Sequence, residues 1–110
     1  DGLELQALVE ECLANLKRPD PARLHALADR CAADRSGAQF TTFMALLRGR
    51  ISAELRQAAR GEPAPGWISA HPLAGWPALW DRLGRLVDET ERLNMDRKQA
   101  VLTGLSWLSA

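Results

Sequence analysis

The sequence predicts an all-α fold, a single domain of five helices. Three observations carry that expectation. Apolar residues recur at three- and four-residue spacing in five separate stretches, no stretch keeps the strict alternation of a half-buried strand, and each pair of stretches is divided by Pro, Gly, Asp or Asn. A chain of 110 residues corresponds to one domain, and one of this size buries roughly 65% of the surface its unfolded chain exposes.

The first pattern runs from about Gly2 to Lys17. Leu5, Leu8, Val9, Cys12, Leu13 and Leu16 form a wide apolar face, with Glu4, Gln6, Glu10, Glu11 and Asn15 opposite, as expected of a central helix. Because this pattern opens almost at residue 1, the chain reads as a C-terminal piece of a longer protein. Pro19 ends the helix, and Asp20-Pro21 supplies an N-cap followed by proline at the first helical position. The second helix follows to about Ala33. Its narrow stripe of Leu24, Leu27, Ala28 and Cys31 suits a peripheral position, and His25 beside it reads as a surface imidazole.

Ser36-Gly37 marks a turn, and the third helix spans about Gln39 to Ala59. Phe40, Met44, Leu47, Ile51 and Leu55 make one continuous stripe, widened by Phe43 and Leu46. Arg48, Arg50, Arg56 and Arg60 point in different directions around it and read as solvated charges. Gly61 is placed for a left-handed cap.

Residues 62–75 carry Pro63, Pro65, Gly66, Pro72 and Gly75, a composition that excludes regular structure over most of the span. Trp67 and Ile68 in its middle are expected to pin this loop to the helices, with contact to a partner as the alternative. The fourth helix begins near Trp76-Pro77 and carries two stripes, Trp76, Trp80, Leu83, Val87 and Leu79, Leu83, Leu86, Leu93. Its outer surface is predicted to be laced by Asp81 with Arg85, Arg85 with Glu89 and Asp88 with Arg92. In the fifth helix, from Arg97 to Ser109, Val101, Leu102, Leu105 and Leu108 face inward. Trp107 lies off that stripe, on the side of Ala100 and Gly104. That side, with Arg97 and Lys98 at the start of the helix, is a candidate partner interface, since small residues admit a close helix and tryptophan is enriched in binding hot spots. The alternative is that Trp107 covers a loop of its own domain.

The chemistry-bearing motifs are absent. No phosphate loop, dinucleotide fingerprint, metalloprotease motif, serine elbow or cysteine quartet occurs, so no catalytic residue, cofactor or metal site is expected. Cys12 and Cys31 lack CxxC partners, and His25 and His71 lack zinc-ligand spacing; both thiols read as buried apolar groups. The charge is balanced, with 14 basic and 14 acidic residues, which provides no field for collecting nucleic acid or an acidic membrane. No run approaches a membrane span, and the start lacks a signal-peptide layout. The chain reads as cytoplasmic.

Between the last two helices stands Leu93-Asn94-Met95-Asp96-Arg97-Lys98-Gln99. Asn94 tolerates the left-handed conformation that ends a helix, and Asp96 with Gln99 three residues on can form a capping box. The wider run LWDRLGRLVDETERLNMDRKQAVLTGL, Leu79 to Leu105, resembles the C-terminal end of the delta-prime subunit of DNA polymerase III, chiefly versions with LN, a hydrophobic residue and DRKQ at this hinge. The resemblance extends to the Leu24 to Arg30 spacing and the Phe40 to Leu47 pattern; Met95 stands where those versions more often carry Leu. It implies the helical C-terminal domain of an AAA+ family clamp-loader subunit, which packs into a collar with gamma/tau and delta. By that resemblance the ATPase-like and zinc-binding parts lie N-terminal to this chain, and DNA is not contacted directly. Two other classes remain open on the residues alone: a small helix-turn-helix domain binding DNA, for which the fifth helix offers Arg97 and Lys98, and a homodimeric adaptor using the Trp107 face.

Overall fold

The longest apolar stripe in the sequence becomes the longest helix and the centre of the structure. The computed structural model describes residues 2–109. Its helices are α1 (Gly2–Ala14), α2 (Pro21–Cys31), α3 (Ala38–Ala59), α4 (Trp76–Arg92) and α5 (Arg97–Leu108), with 3₁₀ turns at Gly66–Ala70 and Leu73–Gly75. No strand occurs among the described residues. The principal pairings are α1 with α3, α3 with α4, α4 with α5 and α5 with α2, and lesser contacts of α2 with α1 and α3 close the array.

Helix α3 contributes Phe40, Phe43, Met44, Leu47 and Ile51, none more than 1% exposed. Burying a side chain of this kind is worth about 1.5–3 kcal/mol, so this stripe is the largest coherent block of the core. Leu8, Val9, Cys12, Leu13 and Leu16 meet it from the α1 side, and Leu83, Val101, Leu105 and Leu108 from α4 and α5. At Gly104 α5 packs tightly on α4, since a Cβ there would stand 3.0 Å from Leu83 Cδ2.

The ends of the helices follow local chemistry. Asp20 accepts from the Ala22 N–H at 3.1 Å, and Asp96 from the Gln99 N–H at 3.0 Å. The Gln99 side chain completes no capping box; its amide instead donates to Thr103 Oγ1 at 3.5 Å. Asn94 takes φ 51° and Gly61 76°, the left-handed values expected at these positions; Gly37, at the N-cap of α3, also takes a left-handed φ of 78°. Before α3, Ser36 Oγ accepts from the Ala38 N–H and donates to Asp34, whose other oxygen accepts from Gln39 N–H. The Ser36 bond is the main reason the Asp34 carboxyl is held below the usual carboxylate range.

Several expectations need correction. Helix α1 ends at Ala14, three residues before Lys17, because the Asn15 side chain donates to the Glu11 carbonyl at 2.7 Å and the next turn tightens. Helix α2 stops at Cys31 and α5 at Leu108. Residues 62–75 are more ordered than their composition predicts: they hold two 3₁₀ turns, with Trp67 buried and Ile68 partly so. Leu93 does not join the α4 stripe but stands 59% exposed, and Thr90, 1% exposed, takes the inner position with its hydroxyl donating to the Leu86 carbonyl. The pairs Asp81–Arg85, Arg85–Glu89 and Asp88–Arg92 are not among the ion pairs of the described residues, which for the most part join different helices.

Both cysteines are free and buried. Burial pushes the Cys31 thiol up to about 12, and burial, reinforced by the nearby Cys31, raises Cys12 further. A thiol-specific reagent at neutral pH is therefore expected to label neither in the native protein and both in denaturant. Truncating the α3 stripe should be costly: Phe43→Ala is expected to lower the unfolding free energy by about 3–5 kcal/mol in urea titration.

Candidate protein interface

Among the described residues no group of three His, Cys, Asp or Glu side chains is placed to hold a metal. None of their buried side-chain nitrogens or oxygens lacks a hydrogen-bond partner.

The surface predicted on α5 is largely turned toward its own domain. Ala100 is 5% exposed, and Gly104 packs on Leu83 and Leu86 of α4. The helix that Gly104 admits is α4 itself. Trp107 is half-buried, and the Arg82 guanidinium of α4 lies 3.8 Å from its ring centroid, so a stacked arginine covers the indole. Arg97 donates to the Arg35 carbonyl at 3.2 Å and lies across Gly37, where a Cβ would meet its guanidinium at 2.5 Å. Lys98 pairs with Asp29 of α2 at 2.8 Å. The Asp96-Arg97-Lys98-Gln99 segment thus caps α5 and ties it to α2 and to the α2–α3 turn. The structure does bring Trp107, Gly104 and Ala100 onto one helix, with only Trp107 presenting part of its side chain outward.

The arginines of α3 also depart from the sequence reading. Arg48 stacks on Trp80, 3.8 Å from the ring centroid, and donates to the Trp80 carbonyl, while the Trp80 indole N–H donates to the Arg48 carbonyl at 2.9 Å. This reciprocal clasp passes over Gly84, where a Cβ would meet the guanidinium at 2.6 Å. Arg50 bridges Glu10 of α1 at 2.6 Å and Glu54 of α3; Glu54 is 7% exposed and so depends on this partner. Arg56 reaches Ser52, and Arg60 pairs with Glu62.

The 62–75 segment is clasped in a similar way. The Trp76 indole N–H donates to the Ile68 carbonyl at 2.8 Å, and Trp67 and His71 meet its ring edge-to-face at 5.7 and 5.2 Å. His71 Nε2 lies 2.7 Å from the Leu108 carbonyl at the end of α5, a contact that joins the segment to α5. His25 is exposed.

Sequence periodicity did not reveal one apolar surface groove. A groove of about 640 Å³ runs between α1 and α3, floored by Ala7, Ala45, Leu46, Gly49 and Ala53 and flanked by Leu3, which is 79% exposed. At the Glu10–Arg50 pair it adjoins a recess of about 450 Å³ lined by Ala14, Lys17, Pro65, Gly66 and Trp67. The signal in the sequence was the four-residue spacing of Ala45, Gly49 and Ala53, visible only once the apolar stripe on the other side of α3 is assigned to the core. Leu93 and Met95, 59% and 48% exposed, form a smaller apolar patch at the α4–α5 hinge.

No helix of the described residues is long and apolar enough to cross a membrane. Comparison of the chain with models of protein families, with curated proteins and with solved structures found no match.

Because Trp107 is held by Arg82, its loss acts first on the domain itself. Trp107→Ala is expected to destabilise folding by about 1–2 kcal/mol in chemical denaturation, with a smaller loss for Arg82→Ala. Arg48→Ala, which opens the clasp on Trp80, should cost about 1–2 kcal/mol in the same assay.

Proposed function

We propose that this chain is a non-catalytic oligomerisation domain, the helical collar domain of a delta-prime-like subunit of the bacterial DNA polymerase III clamp loader. In this reading it holds its subunit in a ring with gamma/tau and delta, in the cytoplasm, while ATP-driven movement elsewhere opens the sliding clamp and places it on primed DNA. The observation that carries the reading is the hinge Leu93 to Gln99. Its wording resembles the delta-prime family, and in this fold Asp96, Arg97 and Lys98 tie α5 to α2 and to the α2–α3 turn. A motif with that role preserves the mutual placement of helices, the property a scaffold needs.

The surface chemistry is compatible with such a role. An apolar groove, exposed Leu3, Leu93 and Met95, and a balanced charge suit protein contacts better than a polyanion, whose binding calls for clustered unpaired cations. The basic side chains at the start of α5 are already committed to the Arg35 carbonyl and to Asp29, which weighs against α5 as a DNA recognition helix.

The test is size exclusion with light scattering of the chain alone and mixed with purified gamma/tau and delta subunits. A heteromeric complex with at least one of them is the expected result. A chain that stays monomeric beside both overturns the collar reading, and one that self-associates and ignores both supports a homodimeric adaptor.

A further inference from the structure

The chain carries four sulfur atoms, in Cys12, Cys31, Met44 and Met95, and the fold treats them unequally. Cys12, Cys31 and Met44 are 3%, 0% and 1% exposed, all within the helical core. Burial also raises the pKa of both thiols, so neither supplies the thiolate that an oxidant attacks. Met95 is 48% exposed, in the hinge between α4 and α5, and a thioether reacts without first losing a proton. An oxidant that reaches the folded chain therefore meets one accessible sulfur.

The hinge holds that sulfur beside a particular set of charges. The Met95 N–H donates to the Thr90 carbonyl at 2.9 Å and the Asn94 N–H to the Glu91 carbonyl at 3.4 Å. With Asn94 at φ 51°, these bonds make the Schellman arrangement that closes α4. Met95 lines a recess of about 370 Å³ together with Asp29 and Ala32 from the end of α2 and Asp96, Arg97 and Lys98 from the start of α5. Here α5 is tied to its neighbours: Lys98 pairs with Asp29 at 2.8 Å, and Arg97 donates to the Arg35 carbonyl at 3.2 Å. A thioether is a weak acceptor and leaves both cations to these partners.

We propose that Met95 is a modification site, oxidised by a peroxide to the sulfoxide in the folded protein, and that the new oxygen draws Lys98 away from Asp29 and loosens the tie between α5 and α2. The step moves two electrons. A sulfur lone pair attacks one peroxide oxygen, the S–O bond forms as the O–O bond breaks, and the transferred hydroxyl gives its proton to the departing hydroxide, which leaves as water. Sulfur is oxidised and the peroxide reduced. The product is a polar group where an apolar one stood, and the cationic donors around the recess are Arg97 and Lys98. Lys98 is the one that moves, because its pair with Asp29 is solvated, with side chains 39% and 62% exposed, and pairs of that kind are weakly held.

The test treats the folded chain with hydrogen peroxide at neutral pH, following each sulfur by peptide mass spectrometry and stability by thermal unfolding. Met95 should gain one oxygen about tenfold faster than Met44, with both cysteines unmodified. The unfolding midpoint of the oxidised chain should fall by about 2–4 °C. Met95→Leu, which keeps the volume and removes the sulfur, should show no response to peroxide. Asp29→Asn has no ion pair to lose, so its Met95 should oxidise as readily while its midpoint moves by about half as much or less. Oxidation of Met44 or of a cysteine at a rate matching Met95 overturns the site. A sulfoxide at Met95 that leaves the midpoint unchanged, or lowers it equally in Asp29→Asn, overturns the coupling to Lys98.

Discussion

The structure depends on the burial of one face of α3. Phe40, Phe43, Met44, Leu47 and Ile51 lie along four turns of that helix, at most 1% exposed, and α1, α2 and α4 all pack against it. No alternative face of α3 offers comparable area, so the rotation of the helix about its axis is set by the hydrophobic effect alone. Once that rotation is set, the opposite side with Ala45, Gly49 and Ala53 must face outward beside α1. The groove is thus a geometric consequence of the core.

Charged groups then hold the helices in register. Arg50 joins α3 to α1 through Glu10, Arg48 joins α3 to α4 through Trp80, Arg30 pairs with Glu4 across α2 and α1, and Lys98 joins α5 to α2. Each pair that is largely solvated contributes little on its own. The Arg48–Trp80 clasp is of another kind, combining a stacked guanidinium with hydrogen bonds in both directions. Its geometry requires Gly84 beneath it, so a packing position on α4 and an arginine on α3 are coupled. The tryptophans act likewise: Trp76 anchors the 62–75 segment through Ile68, Trp67 and His71, and an apparently breaker-rich loop becomes part of the domain wall.

The candidate site shows where periodicity is informative and where it is not. Trp107 is half-buried against the core, and the neighbour for which Gly104 leaves room is α4 of the same chain. Small residues announce close approach without naming the helix that approaches. At Gly49 a Cβ would meet nothing within 4 Å, so no helix of this chain explains that glycine.

The sequence by itself determined the number of helices, their order and most of their ends, because these arise from interactions within a few residues. Asp20 and Asp96 cap from their own side chains, Asn94, Gly37 and Gly61 adopt left-handed backbone locally, and the α3 stripe needs only a non-polar environment on one side. The exchange of Leu93 for Thr90 on α4, the capture of Arg48 by Trp80, the stacking of Arg82 on Trp107 and the open groove over Gly49 were decided by tertiary structure alone. Each depends on which helix stands opposite and at what angle, and residues 32 apart, such as Arg48 and Trp80, meet only after the core has brought their helices together.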